Sequence, residues 1–403
     1  MSTNQYLPSK TILDKYADVL VHFALGKEEG IKAGEVVQCI VPDIAKPLAR
    51  SLQKALLEAG AHVLMRMIPT EIDRDYYELA SEEQLTFFPA SYLKAKADLI
   101  DHTISIIADP NPEELKNINP QKIFLARNTQ KAYRDWLIEK ESSGKYTWTA
   151  ALWGVKAKAK IVGLTYKEYW QQIIQACYLD QADPIAHWRQ TKKLQTELKK
   201  KLNQLSIEWV EIKGQDIDLK LQLGADRRWA GGADRNIPSF ELFTSPNWRG
   251  SNGYIKFNQP LFRYGNLIDG VEMTFKDGLV TKATAKKGQA VLTEMLKTPG
   301  ANKLGEFSLT DKRLSHITHF MAEILYDENV GGPQGNTHVA IGMAYRDCYR
   351  GDQSKIKSED WKKLGFNDSA EHTDLVSTSK RIVTATLTDG SQKVIYQNGQ
   401  FTL

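Results

Sequence analysis

The chain has few cysteines and lacks long apolar runs. Its three cysteines, Cys39, Cys177 and Cys348, are odd in number and far apart among 403 residues, which predicts a reducing compartment and no disulfide framework. No stretch approaches the roughly 18–20 apolar residues that a membrane span needs. The opening residues MSTNQ lack the basic and apolar regions of a secretion signal. We therefore expect a soluble protein of the cytoplasm.

A marked excess of one charge is also missing. The net charge is +4, from 53 Lys and Arg against 49 Asp and Glu. The densest basic run, residues 199–201, continues a helical pattern and is interpreted as a solvated face. A nucleic-acid partner would require a stripe of basic residues together with aromatic or glycine-rich segments that contact the bases. The sequence shows no such stripe, so we expect no nucleic-acid partner.

Two nucleotide-binding motifs are absent. The first predicted strand-to-helix turn reads VPDIAK at residues 41–46 and lacks the Gly-x-Gly-x-x-Gly fingerprint that lets a pyrophosphate approach the backbone. No Gly-x-x-x-x-Gly-Lys-Ser/Thr loop occurs either. We therefore expect no dinucleotide or ATP cofactor.

The first half of the chain alternates predicted helices and strands. A βαβ unit is predicted from helical spacing over 44–59, stopped by Gly60, between apolar runs at 36–41 and 62–67. A helix is predicted over 13–25, and helical stretches over 166–205. Further strands are predicted at 99–108, 122–126 and 147–153. Residues 1–205 are thus predicted to form an α/β domain with a largely parallel sheet.

The pattern changes after residue 205. Residues 216–223 alternate strictly between apolar and polar, which is typical of a half-exposed strand. Hairpins are predicted at 271–280 and 382–396, each with an Asp-Gly turn. Since 403 residues exceed one typical core, we predict a second domain over 206–403, of α+β class with antiparallel sheet.

This second domain gathers carboxylates and imidazoles. Hard oxygen donors mixed with imidazole nitrogens suit a divalent ion such as zinc, manganese or cobalt. The candidate ligands are Glu241, Glu306, Glu328, His338, His372 and Asp374. Four carboxylates and two histidines exceed the needs of one tetrahedral ion, so a two-metal site and a metallohydrolase are predicted.

The sequence around each candidate ligand supports metal binding to a different degree. In a strand, His372 and Asp374 project to the same face and are able to hold one ion; the alternative is a surface His–Asp pair. Glu328 and His338 lie at the two ends of a loop that contains three glycines and a proline. We expect the ends of this loop to meet at one centre. The alternatives are that the loop is a plain connection or that its backbone binds an anion. Glu241 is placed in an irregular polar turn.

Tyr345 lies seven residues after His338. If that segment is helical, both side chains share a face, and the tyrosine is placed to donate to a developing oxyanion. The alternative is a buried structural tyrosine. His316 and His319 have helical metal-pair spacing but no evident third ligand, so they are assigned structural or surface roles.

The order of the motifs resembles one family. Residues 235–374 contain, in this order, RNIPS…E…FTSP, LGE, DEN…HVAIG…AY and HTD. This order resembles that of the thermophilic-type metallo-aminopeptidases, the family of aminopeptidase T, aminopeptidase S and PepS. YADVLV at 16–21 and EAGAHV at 58–63 look like that family's opening. The resemblance therefore spans nearly the whole chain.

The resemblance implies an activity and roles for the residues. The six candidate ligands would hold two divalent ions, with Glu306 shared between the ions and Tyr345 stabilising the oxyanion. The substrates would be peptides with a free N-terminus, and the protein would be a homodimer. The proton shuttle stays unassigned, with Asp327 or a released carboxylate as candidates.

Two departures from the family pattern concern specificity. The segment between Glu328 and His338 is longer than expected, and LVST at 375–378 replaces the usual residues after His-x-Asp. Two other functions stay open. One is a two-metal phosphoesterase with Arg346 and Arg350 as phosphate clamps, and the other is a non-catalytic peptide-binding homologue.

Overall fold

The structure is a computed structural model that describes residues 6–26, 29–233 and 235–403, without the side chains of Ser354 and Ser358. The opening MSTNQ segment therefore lies outside the described residues. The chain divides into two compact units: the first runs to Thr191 and includes Ala233–Ser239, and the second contains the rest. The division falls inside the helix Pro184–Gln204, whereas the domain boundary predicted from sequence lies after that helix.

The helices and strands up to residue 204 are α1 (Lys10–Val19), β1 (Val36–Pro42), α2 (Lys46–Glu58), β2 (His62–Ile68), α3 (Asp73–Leu79), α4 (Glu82–Leu85), α5 (Ala90–Leu99), β3 (His102–Ile107), α6 (Pro120–Thr129), α7 (Lys131–Ser142), β4 (Thr147–Leu152), α8 (Lys156–Ile161), α9 (Tyr166–Ala176) and α10 (Pro184–Gln204). A π-helical turn, Leu20–Ala24, continues α1.

The later elements are β5 (Ile207–Gly214), β6 (Ile217–Gln222), β7 (Asn236–Ile237), β8 (Glu241–Thr244), β9 (Asn247–Lys256), β10 (Leu261–Arg263), β11 (Asn266–Ile268), β12 (Glu272–Lys276), β13 (Leu279–Thr284), α11 (Gln289–Lys297), β14 (Leu304–Thr310), α12 (Ile324–Asp327), β15 (Asn336–Gly342), α13 (Ser358–Lys363), β16 (His372–Ser377), β17 (Arg381–Leu387), β18 (Gln392–Gln397) and β19 (Gln400–Phe401).

The first unit is built on a parallel sheet. Its strand order is β2-β1-β3-β4-β7, and every neighbouring pair is parallel. The predicted βαβ unit is β1-α2-β2, and Gly60 follows the helix with a φ of 79°, a conformation open to glycine at little cost. The α/β fold class expected from the alternating pattern is confirmed.

One predicted strand is wrong. Residues 122–126 lie in the helix α6, not in a strand. The side chain of Asn119 accepts a hydrogen bond from the Gln121 N–H, and Pro120 occupies the first turn, where its missing N–H costs nothing. These start signals outweigh the short apolar run IFLA that suggested a strand.

The described residues of the second unit form two large antiparallel sheets and the two-stranded antiparallel sheet β10–β11. Of the large sheets, one has eight strands in the order β13-β12-β9-β6-β5-β17-β18-β19, and the other has four in the order β16-β15-β14-β8. The predicted strand over 216–223 is β6, and the predicted hairpins are β12–β13 and β17–β18. The antiparallel α+β character expected of this region is confirmed.

The two large antiparallel sheets share one hydrophobic core. Apolar side chains from the inner faces of both sheets pack together, among them Leu219, Val383, Phe307, Leu309 and Val339. This packing fixes which face of each strand points inward, because side chains alternate between the two faces of a strand.

No helix among the described residues is long and apolar enough to cross a membrane.

Candidate metal centre

The candidate site lies on the four-stranded sheet. Alternate residues of β14 separate two environments: Phe307 and Leu309 enter the hydrophobic core, whereas Glu306 and Ser308 project from the opposite face. All seven residues of β14 are buried. Both faces of this strand are therefore withdrawn from solvent, one against the core and one around polar groups.

The strand register places five candidate ligands on that opposite face. Cross-strand partners in an antiparallel pair project to the same side. The ligand-bearing pairs are Thr310↔Glu241, Ser308↔His338, Ala340↔Asp374 and Gly342↔His372, and Glu306 pairs with Ala340. The residues between the candidate ligands are small, so the larger side chains converge above them.

His338 lies at the centre of the cluster. Its Nε2 is 3.0 Å from Oε1 of Glu306, 3.1 Å from Oε2 of Glu241 and 3.7 Å from Oδ1 of Asp374. Its other nitrogen, Nδ1, lies 3.1 Å from the carbonyl oxygen of Glu328. A proton on Nδ1 that is donated to this carbonyl leaves the Nε2 lone pair facing the carboxylates, as metal-ligating histidines require.

His372 repeats this arrangement at the edge of the cluster. Its Nδ1 lies 2.9 Å from the carbonyl oxygen of Met343, and its Nε2 is 3.4 Å from Oδ1 of Asp374. The same Nε2 is 3.7 Å from Oε2 of Glu306. Glu306 therefore faces a different histidine with each of its oxygens.

Glu328 directly follows α12, and its buried carboxyl group interacts electrostatically with Glu241, Asp374 and His338. The side-chain amide of Asn336 donates to the carbonyls of Glu328 at 2.8 Å and Val330 at 3.0 Å, which closes the loop that leads to β15. Together with the contact of His338 with the Glu328 carbonyl, this bond brings the two ends of the loop together, as the sequence led us to expect.

The setting of Glu241 differs from the sequence prediction. It is the first residue of the buried strand β8 and not part of an irregular turn. Ser308 donates to Oε2 of Glu241 at 2.6 Å, a contact that sequence reasoning missed. The available signal was the i, i+2 spacing of Ser308 from Glu306, but serine is too common in strands to stand out.

Tyr345 also reaches the site by another route than predicted. The segment from His338 is the strand β15 and not a helix, because its alternate residues serve the core and the site. Tyr345 follows the strand end, and its ring centroid lies 4.9 Å from that of His372. Burial and the surrounding carboxylates raise the pKa of its phenol well above the ordinary value, so it stays a hydrogen-bond donor.

Two of the buried carboxyl groups, Glu306 and Glu328, have raised pKa values. Burial, partly offset by His338, raises the pKa of Glu306 to about 7. Burial and then the charges of Glu241 and Asp374 raise the pKa of Glu328 well above its usual range. The cause is the cost of burying a carboxylate, which favours the protonated form of both groups.

The two histidines respond to the same negative charge. Burial opposes protonation of His338, yet the adjacent carboxylates raise its pKa well above the ordinary value. His372 behaves alike, with a pKa raised to about 9 against the effect of burial, chiefly by Asp374. Burial acts against ionised Asp374, but His372 and then His338 hold its pKa at about 2.

The donor set fits divalent metal. One ligand atom from each of Glu241, Glu306 and His338 lies within 4.8 Å of the others. These three residues are buried, and metal ions compete with protons for the lone pairs that such groups offer. Mixed carboxylate and imidazole ligation suits zinc, manganese or cobalt.

Other residues considered from the sequence have different roles. Cys348 is a buried thiol whose pKa burial raises well above its usual value, which disfavours the thiolate that a metal would require. His316 lies in an irregular segment with its ring 6.3 Å from that of Phe240. Asp327 accepts backbone N–H bonds from Met321 and Glu323, which brace the turn that presents Glu328.

The two candidate phosphate clamps are engaged elsewhere. Arg350 donates to the backbone carbonyls of Arg227 and Asn203, both at 3.3 Å. The guanidinium of Arg346 lies over the ring of Trp361, 5.3 Å from its centroid. Neither contact directs an arginine toward the carboxylate cluster.

Taken together, a parallel α/β unit and an antiparallel unit with buried carboxylates and imidazoles on one sheet face define a candidate metalloenzyme. The sequence profile described as thermophilic metalloprotease (M29) matches residues 9–401. The chain belongs to this peptidase family.

Curated relatives cover nearly the full length. Aminopeptidase 2 of Geobacillus stearothermophilus is 27% identical over 417 residues, covering 96% of this chain and 97% of the relative. Aminopeptidase T of Thermus aquaticus is 27% identical over 414 residues, covering 97% and 98%. A solved structure, wild-type AmpT from Thermus thermophilus, matches with a TM-score of 0.82 and 25% identity over 98% of this chain and all of that chain.

These matches confirm the family resemblance drawn from the motif order, the two-part fold class and the expectation of a metalloprotease. The roles of the individual residues, the number of metal ions and the identity of the metal stay predictions.

Proposed function

We propose that this protein is a metal-dependent aminopeptidase that hydrolyses the N-terminal residue of peptides through a two-metal site. The ligands would be Glu241, Glu306, Glu328, His338, His372 and Asp374. The observation that carries the proposal is the position of Glu306, whose two oxygens face two different histidines. A carboxylate placed in this way suits a bridge between two ions, and Glu241 and Asp374 lie beside the same imidazoles.

Charge supports two ions over one. The six side chains include four carboxylates, and two divalent cations would balance their charge in a site with little access to water. Bound divalent ions supply Lewis-acid polarisation of a carbonyl and acidification of water. Zinc, cobalt and manganese all suit the donor set.

The protein's own residues would orient the substrate and its developing charge. Tyr345, kept protonated beside His372, would donate a hydrogen bond to the oxyanion of the tetrahedral intermediate. The main-chain carbonyls of Glu328 and Met343 would keep both histidines oriented through the reaction.

Metal removal tests the proposal directly. Protein stripped with EDTA should lose activity toward amino-acyl reporters, and zinc, cobalt or manganese should restore it. Elemental analysis of the reloaded protein should find two ions per chain. Stripped protein that cleaves the reporters as fast as reloaded protein would overturn the metal mechanism, and a single ion per chain would overturn the two-metal site.

Blocking the α-amine separates the alternatives. An aminopeptidase should cleave a peptide reporter and fail on its N-acetylated form. A phosphoesterase would instead cleave phosphate esters, and a non-catalytic peptide-binding homologue would bind peptides without turnover. We also infer a homodimer from the family resemblance, which sedimentation analysis would test, and a cytoplasmic location, which fractionation of cells would test.

A further inference from the structure

A short hairpin contacts the strand that carries His372 and Asp374. It consists of β10 and β11, joined by Tyr264 and Gly265, both with positive φ, as a tight two-residue hairpin turn requires. The side chain of Asn266 donates to the Tyr264 carbonyl at 2.6 Å. The hairpin packs against β16 and α12. It therefore holds Arg263 and Tyr264 in fixed positions near two elements of the site.

Both residues bind one buried carboxylate. Glu371, only 1% exposed, directly precedes His372. Arg263 Nη2 donates to Oε1 of Glu371 at 3.1 Å, and Tyr264 donates to Oε2 at 2.5 Å. The hydroxyl of Thr373 also donates to Oε1. Each oxygen of Glu371 is thus engaged, so the side chain has one defined position.

Further hydrogen bonds link Arg263 and Glu371 to the candidate ligand His372. Arg263 Nη2 also donates to the main-chain carbonyl of His372 at 3.2 Å. The Met343 N–H donates to the Glu371 carbonyl at 2.8 Å, and the Met343 carbonyl in turn lies 2.9 Å from Nδ1 of His372. The imidazole is therefore oriented by a backbone segment that Glu371 holds.

A close backbone approach supports this role. A Cβ placed on Gly342, the cross-strand partner of His372, would lie 2.0 Å from the Glu371 carbonyl oxygen. The backbone around Glu371 is thus packed tightly against the strand β15. A displacement of Glu371 would be transmitted to His372, because no space separates these segments.

We propose that Arg263 and Glu371 are positioning residues that hold His372 in the geometry for metal binding. This role rests on the proposed function, since it takes His372 as a metal ligand. Partners that orient metal ligands commonly contribute 10–100-fold to metal affinity. A merely structural ion pair would contribute to folding and leave the metal affinity unchanged.

The test measures cobalt(II) binding to the stripped full-length protein, by titration and by the visible absorption of the bound ion. Arg263→Lys keeps the charge and loses the planar fork, and Glu371→Gln removes the negative charge at nearly constant shape. Both should raise the cobalt dissociation constant by roughly 10–100-fold and shift the absorption band.

The matched control is the pair of Arg313 and Asp311, in which an arginine also binds a fully buried carboxylate, with bonds of 2.8 and 2.6 Å. Arg313→Lys should leave cobalt binding unchanged. Thermal unfolding of the stripped variants separates lost stability from lost affinity, and His372→Ala reports whether the ligand assignment itself holds.

The outcomes separate the two proposals. If His372→Ala weakens cobalt binding while Arg263→Lys and Glu371→Gln bind as the unmodified protein does, the positioning role is overturned and the ligand assignment stands. If His372→Ala also binds normally, the ligand assignment fails and the positioning role fails with it. If Arg313→Lys weakens binding as much as Arg263→Lys, the effect is general destabilisation and the positioning role is wrong.

Discussion

The two large antiparallel sheets of the second unit share a core and differ in their outer faces. In the eight-stranded sheet, β6 alternates strictly, with Leu219 buried in the core and Asp218 and Lys220 exposed. In the four-stranded sheet, β14 and β15 are buried along their whole length. The first sheet exposes its polar side chains to solvent, whereas the second encloses them.

This difference explains why carboxylates act differently on the two sheets. Asp218 is solvated and needs no partner. Glu306 is 3% exposed, and its charge must be compensated by protons or cations. A carboxylate on a sheet that is buried on both faces therefore favours binding of a positively charged partner. A carboxylate on a solvent-exposed face does not, because water already stabilises its charge.

The largest expected loss of activity follows when a carboxylate on the outer face of the four-stranded sheet is replaced by its amide. The same replacement on the outer face of the eight-stranded sheet is the control. Glu306→Gln should lower kcat/KM beyond roughly 10³-fold, the upper range for a single oxyanion donor, since it would remove a ligand shared by two ions. Asp218→Asn should leave kcat/KM unchanged. Steady-state assays with a metal analysis measure both variants, and equal activities would show that burial does not distinguish the sheets functionally.

A smaller loss is expected at the end of β15. Tyr345→Phe keeps the ring against His372 and removes the donor, so kcat should fall by roughly 10²–10³-fold with the metal content unchanged. Tyr254→Phe, on the exposed part of β9, is the matched control. A Tyr345→Phe enzyme that turns over normally would remove this residue from the mechanism.

The shared core predicts a contrast in stability. Leu309→Ala deletes a fully buried side chain of the four-stranded sheet and should cost about 2–5 kcal/mol of unfolding free energy. Ile382→Ala, at 44% exposure on the eight-stranded sheet, should fall within about 0.5 kcal/mol. Denaturant unfolding measures both, and similar costs would contradict the division into inner and outer faces.

The smallest effect concerns a contact between the two sheets. Tyr396 of β18 donates to the carbonyl of Thr310 on β14 at 2.9 Å. A Cβ on Gly335 would lie 2.0 Å from the Tyr396 hydroxyl, at a φ of 59°. Gly335→Ala should therefore displace the loop before His338 and cost more than about 1 kcal/mol.

Gly390→Ala is the control for this change. Gly390 lies in the turn between β17 and β18 and also has a left-handed φ, of 84°, but nothing lies within 4 Å of its added Cβ. Thermal unfolding and a panel of amino-acyl reporters should show a larger change for Gly335→Ala. Equal effects would mean that backbone strain, and not the contact with Tyr396, explains the change at Gly335.

The contrast between the sheets also separates what the sequence predicted from what it did not. Alternation predicted β6, because that strand has one solvated face, and the Asp-Gly turns predicted both hairpins. The sequence did not predict the strand that contains Glu241, which was placed in a turn, or the strand from His338, which was considered as a helix. Strands that are buried on both faces carry no solvent-facing pattern, so periodicity did not identify them.

The candidate ligands were predicted from motif order and family resemblance. Their convergence depends on the register of four strands that are distant in the chain. Ser308 was missed because a serine in a strand has no distinctive spacing. Arg263 and Glu371 were missed because they are 108 residues apart and neither belongs to a motif.

The orientation of both imidazoles has a consequence for protein engineering. Each Nδ1 faces a main-chain carbonyl, that of Glu328 for His338 and that of Met343 for His372. A carbonyl is present whichever residue occupies the position. Met343, half-buried near the site, is therefore a position where a designer can vary side-chain size to change substrate selection while the carbonyl that orients His372 is kept.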